Sequence, residues 1–195
     1  MKSFALVLLL AVSGILYADT ARKPQTLVYS ELVPATYRAA FVSEVVTVAT
    51  RLQVKPDWLM IVIRFETAGT FRANVRNPYS GSVGLIQFIP TTATRLGTTP
   101  GKLSAMSAVE QLAYVEKYFA PYKGRMRDVY DVYLVVFAPA FLGKPDSQVL
   151  YRANGKTPLD RRRYNLNKVL DVNRDGLITI RDVKQQISRF VPAGS

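Results

Sequence analysis

Apolar residues at positions 41, 45, 48, 49 and 52 of "TYRAAFVSEVVTVATRLQ" (36–53) recur every three or four residues, the spacing of one helix face. The next run, "KPDWLMIVIRFETAG" (55–69), predicts a second helix. Pro56 suits its first turn, Asp57 favours its start and Gly69 its stop. That helix is apolar nearly all round, so it belongs in an interior. "RNPYSGSVG" (76–84) is rich in turn formers and cannot continue a helix, although short strands between Arg72 and Gln87 are compatible with the pattern. A short helix is predicted from Pro90 to about Gly97. Ser107 and Glu110 form an S-x-x-E capping box before "QLAYVEKYF", where Leu112, Val115 and Phe119 share a face. "RDVYDVYLVVFAPAF" (127–141) predicts another buried helix that ends or kinks at Pro139. The fold class expected is therefore mainly α: a helical body over 36–142, then a connecting segment and a small helical unit over 143–195, with a seam near 143–165.

The first residues, "MKSFALVLLLAVSGILYADTA", combine one Lys, an apolar block from Phe4 to Tyr17 and small residues around Ala18. The block is shorter than the roughly 20 residues a membrane-spanning helix needs. It fits the core of a secretory signal peptide over 1–18, cleaved after Ala18 or Ala21, and the alternative is an uncleaved anchor. Export to a periplasm or an extracellular envelope is expected, with membrane contact only if the segment stays attached.

Composition narrows the chemistry. The chain has 195 residues, 49% of them apolar and 21% charged, enough for one domain with a proper core and a small appendage. It contains no His and no Cys, which excludes Ser-His-Asp triads, His- or Cys-ligated zinc, thiol nucleophiles and disulfides. Carboxylate, Tyr and Lys remain for proton transfer. The formal charge of +12 suits anionic partners such as nucleic acid, lipid head groups or acidic wall polymers. No basic run is interleaved with aromatics, so nucleic acid is not expected as a partner.

Against this background the acids are oddly spaced. Glu66 closes the apolar run, and no other Asp or Glu follows until Glu110. Desolvation beside an apolar helix and the negative end of the helix dipole should both raise its pKa. A carboxyl that stays protonated near neutral pH can serve as a general acid. Arg64, two residues earlier, faces another side of the helix and need not neutralise it.

A second chemical pattern lies at 171–182, "DVNRDGLITIRD". Asp171, Asn173, Asp175 and Asp182 stand at loop positions 1, 3, 5 and 12, Gly176 at the sharp turn, and Leu177 where a backbone carbonyl is required. These residues resemble the calcium loops of EF-hands, and the Asp at position 12 those of dockerins. The resemblance implies a structural calcium ion held by Asp171, Asn173, Asp175, Asp182 and the Leu177 carbonyl, with Thr179 acting directly or through water. Only one copy is present, which suggests a clamp rather than a sensor.

"ET" at 66–67, "NP" at 77–78, Ser80 and "GLIQF" at 84–88 resemble, in order and spacing, the goose-type lysozyme and soluble lytic transglycosylase superfamily. "IQFIPTTATRLGT" and "MSAVEQLAYVEKYF" are similar to its bacteriophage-type members, and the likeness covers about 40–142. It implies a lysozyme-like fold that cleaves the β-1,4 bond between N-acetylmuramic acid and N-acetylglucosamine in peptidoglycan glycan strands, as a monomer and with no cofactor for catalysis. Glu66 would be the general acid and base, giving 1,6-anhydro-muramyl ends. Thr67, Ser80, Gly84, Leu85 and Gln87 would form the substrate cleft, with Ser80 and Gln87 bonding sugar amides and Gly84 admitting close backbone approach. The chain departs from the family pattern at "VFAPAF" (136–141), where many members place a Tyr near the acid; Tyr130 or Tyr133 can substitute. Alternatives of other outcome are a hydrolytic muramidase using Asp128 or Asp131 as base, action on chitin-type polymers, and a non-catalytic wall-binding protein.

Overall fold

A computed structural model describes residues 26–193; the segment expected to be a signal peptide lies outside them. The described residues are mainly helical, with 54% helix against 6% strand. The body begins with α1 (Arg38–Leu52), which buries Phe41, Val45, Val48, Ala49 and Leu52, the five positions of the apolar stripe. Gln53 ends it in the left-handed conformation, and α2 (Pro56–Glu66) follows at once with Pro56 in its first turn. Leu59 to Ile63 are all buried, so α2 is the central helix of the body, packed on α1. Asp57 at its start accepts a hydrogen bond from the Val28 N–H at 2.9 Å, tying down the chain that leads into the body.

The loop 76–88 forms no strand; it is pinned by isolated bridges from Val83 to Arg76 and to Phe88. Three helices cross behind it: α3 (Pro90–Arg95), α4 (Pro100–Ala105) and α5 (Ala108–Phe119). The capping box of α5 forms in both directions, with the Glu110 N–H donating to Ser107 Oγ at 3.2 Å and the Ser107 N–H to Glu110 Oε2 at 2.7 Å. Helix α6 (Val129–Phe137) stops short of Pro139, which opens a single 3-10 turn (Pro139–Phe141).

The stretch 143–165 is not a mere connector. It holds β1 (Val149–Arg152) and most of α7 (Pro158–Asn167). β1 pairs antiparallel with β2 (Leu177–Thr179) inside the 171–182 loop, Tyr151 opposite Ile178, with an irregularity between Val149 and Tyr151. So the loop that lacks a second copy of itself has an ordinary strand as its partner. Helix α8 (Ile180–Ser188) then lies on α6 and α2. Leu170, Ile178, Ile180, Val183 and Ile187 join the same buried cluster as the body helices, so residues 143–193 share one core with them. Among the described residues no helix is long and apolar enough to cross a membrane.

Candidate active site

Glu66 is the last residue of α2, where the apolar run ends and the chain must turn. The turn is built by Thr67, which is fully buried. Its hydroxyl donates to the Ile63 carbonyl at 2.7 Å and accepts from the Phe71 N–H at 3.1 Å. Left-handed backbone at Ala68, Gly69 and Phe71 completes the reversal. A side chain so engaged positions the residue before it and has no surface to offer a ligand.

The Glu66 carboxyl is largely, though not wholly, packed round by protein, and burial alone pushes its pKa up to about 7. Among the described residues it accepts no hydrogen bond and pairs with no cation. Arg64, on the same helix, is turned away: its guanidinium sits between the rings of Tyr29 and Phe190, 4.8 and 4.4 Å from their centroids. Asp128 and Asp131 are held at the start of α6, Asp128 accepting from the Asp131 N–H at 2.8 Å and Asp131 from the Arg127 N–H at 2.9 Å. Neither contributes to the Glu66 shift.

Two tyrosines surround the acid closely enough to feel its charge. Tyr133 on α6 has its ring buried against Phe65 (centroids 5.0 Å apart), and its phenol pKa is raised by burial first and by Glu66 second. Tyr118 on α5 is pushed up to about 12 by burial first, with smaller contributions from Tyr122 and Glu66, and its hydroxyl donates to the Val135 carbonyl at 2.8 Å. Tyr118 carries no mark in the local sequence that distinguishes it from a packing tyrosine; only the fold brings it to Glu66. It also lines a cleft of about 200 Å³ with Gln87, Ile89, Arg95 and Phe137.

The 80–88 segment is organised differently from the family-based expectation. Gln87, with φ near 51°, has its amide fully occupied: Oε1 accepts from Ser82 Oγ at 2.8 Å, and Nε2 donates to the Gly84 and Val75 carbonyls at 3.0 and 3.3 Å. Ser80 joins this chain through a 2.8 Å contact between the two serine hydroxyls and is its exposed end. Leu85 is a core residue with no accessible surface. Gly84 does admit a close approach, but of the protein itself: a Cβ there would collide with the side-chain amide of Gln111. Gln111 is fully buried on α5 and clamps three segments, accepting from the Leu85 N–H at 2.6 Å and donating to the Ala73 and Leu103 carbonyls at 3.1 and 2.9 Å. Of the expected cleft residues, Thr67, Leu85 and Gly84 thus shape the site from within, while Gln87 lines the cleft and Ser80 reaches solvent.

The 171–182 loop closes on itself. Asp171 accepts from the Asp175 N–H at 3.1 Å, the Gly176 N–H at 3.0 Å and the Tyr164 hydroxyl at 2.6 Å, and these bonds, Tyr164 first, hold its pKa low. Asn173 Nδ2 donates to Asp175 Oδ2 at 2.9 Å, the Leu177 N–H donates to Asp175 Oδ1 at 2.8 Å, and Asp182 accepts from the N–H of Thr179, the N-cap of α8, at 2.8 Å. Gly176 makes the sharp turn at φ near 80°. The donors are oxygens only, the set a hard divalent cation takes. Among the described residues, no three acidic side chains gather closely enough to form a metal cluster.

No protein-family model, curated protein or solved structure matches the chain.

Proposed function

We propose that the protein is an exported peptidoglycan lytic transglycosylase with a lysozyme-like body, in which Glu66 is the single acid and base. The observation that carries this reading is a carboxyl with a pKa near 7, without hydrogen bond or ion pair among the described residues, near two tyrosines of which one, Tyr118, lines a cleft. Protonated Glu66 gives its proton to the glycosidic oxygen as the C1–O bond breaks. The substrate's own N-acetyl group stabilises the positive centre, so no second protein carboxylate is required. The muramyl 6-hydroxyl then attacks C1, its proton returns to Glu66, and a 1,6-anhydro end results. Tyr133 is assigned the role of the family's tyrosine beside the acid, with Tyr118 as the second phenol at the site. Ser80 is proposed as the exposed sugar contact, and Gln87 shapes the cleft floor.

The test is digestion of purified peptidoglycan by the wild type and by Glu66→Gln, with released ends identified by mass spectrometry. Anhydro ends from the wild type and a loss of 10³-fold or more in the variant, on the order of what a key proton-transfer group contributes, are expected. Reducing ends would transfer the case to a hydrolytic muramidase, and no released glycan from the wild type would leave a non-catalytic wall-binding role.

The loop at 171–182 is proposed to bind one structural calcium ion through Asp171, Asn173, Asp175, Asp182 and the Leu177 carbonyl, in an EF-hand-like unit. Bound ion would stabilise the native state by mass action. Millimolar calcium should raise the melting temperature by several degrees, and Asp175→Ala should abolish the rise; identical melting curves with calcium and with chelator would defeat the assignment.

A further inference from the structure

Exposed aliphatic side chains are concentrated at one place. Of the seven large apolar residues exposed among the described residues, Leu159 (54%), Leu166 (72%), Val169 (81%) and Val172 (52%) lie on α7 and the turn that follows it. Leu159 and Leu166 are two helical turns apart and share a face, with Tyr164 buried on the opposite side. Arg162 falls between the two leucines on that face, and Arg163, Lys168 and Arg174 are exposed at its margins. Residues 143–195 carry 11 Lys and Arg against 5 Asp. The nearby acids offset only part of this: Asp160, engaged by the Thr157 cap, also lies 3.9 Å from the Arg163 guanidinium, and Asp171 is turned inward onto Tyr164. Asp175 is exposed in the adjoining loop.

We propose that this face docks on an anionic membrane surface. Aliphatic residues interleaved with arginines suit the boundary between head groups and acyl chains, where the leucines enter the apolar layer and the guanidinium groups meet lipid phosphates. A soluble polyanion would use the cations and leave four aliphatic side chains in water. An apolar protein groove would use the aliphatic residues and strip Arg162 of solvent without compensation. The charge complementarity therefore favours lipid. The docking face adjoins the 171–182 loop through Val169 and Val172, and the proposal does not depend on the proposed catalytic reading.

The experiment uses the full chain with vesicles of phosphatidylcholine, with and without phosphatidylglycerol. Leu166→Trp is placed in a Trp58→Phe background, so that the indole at position 166 is the sole reporter. Quenching of that indole by brominated acyl chains, with binding that requires the anionic lipid, is the expected result. Arg162→Gln and Arg163→Gln should each weaken binding roughly fivefold, as expected for one basic residue at a charged surface. Circular dichroism spectra matching the wild type confirm that these variants fold. Three results overturn the proposal: no co-sedimentation with the vesicles; co-sedimentation with an unquenched indole, which assigns membrane contact to residues 4–17; or a dimer in solution that Val169→Asp dissociates, which assigns the face to a second copy.

Discussion

Glu66 is tuned by what is missing around it. A carboxyl that is buried without a hydrogen bond or cation favours its protonated form, and the rise to about 7 has this single cause. The same shift makes a statement about stability. The folded state holds the proton more tightly than the unfolded chain, so Glu66 favours folding most at pH below about 4.5. That advantage is lost as pH rises towards 7 and is constant above it. The full shift corresponds to about 3 kcal/mol, an upper bound because the residue keeps partial solvent contact. Glu66→Gln should therefore be more stable than wild type at pH 8 by about 1 to 3 kcal/mol and show a smaller difference at pH 5, read from urea midpoints. If Glu66 is the proposed acid, kcat/KM on glycan strands should fall about tenfold per pH unit above 7. A flat profile up to pH 9 would remove it from that role.

At the scale of elements, the site depends on one buried amide. Gln111 holds the end of α4, the segment before the 76–88 loop, and the loop itself by three hydrogen bonds. Gln111→Leu leaves the Leu85 N–H and two carbonyls buried without partners, and it should cost about 2 to 4 kcal/mol in chemical denaturation. Gly84→Ala should be as severe, because it adds a Cβ against Gln111 at a backbone φ of about 88°. These contacts span 26 and 38 residues, which explains why they are silent in the sequence. A Gln between Glu110 and Leu112 reads locally as a solvated helix position. The elements whose evidence is local were legible: the stripe of α1, the proline start of α2 and the capping box of α5. Helix α4 was not foreseen, because six residues containing a Gly and a Pro carry no period. Strand β1 was not foreseen because its partner lies some thirty residues ahead. At the site, Glu66 is visible from its spacing, whereas Tyr118 is placed there only by the packing of α5 against the body.

The whole molecule is fastened by its last turn. Phe190 packs on Phe65 with centroids 5.3 Å apart, covers one face of the Arg64 guanidinium, and accepts through its carbonyl from the Tyr29 hydroxyl at 2.9 Å. Truncation after Leu142 strips this cover from α2 and α6. The shortened chain should bind a hydrophobic dye and lose cooperative melting; a sharp transition near that of the full chain would show that the body stands alone. Tyr29 and Phe190 also place the two ends of the described chain side by side, two residues from the proposed acid. For a protein synthesised from its N-terminus, this fixes an order of completion. Helix α2 is among the first described elements to be made, yet the ring that covers Phe65 and Arg64 comes from Phe190, more than a hundred residues later. The aromatic cover over Phe65 and Arg64, the two residues before Glu66, is thus finished only once Phe190 has been made, so a nascent chain carries this end of α2 in an incomplete setting.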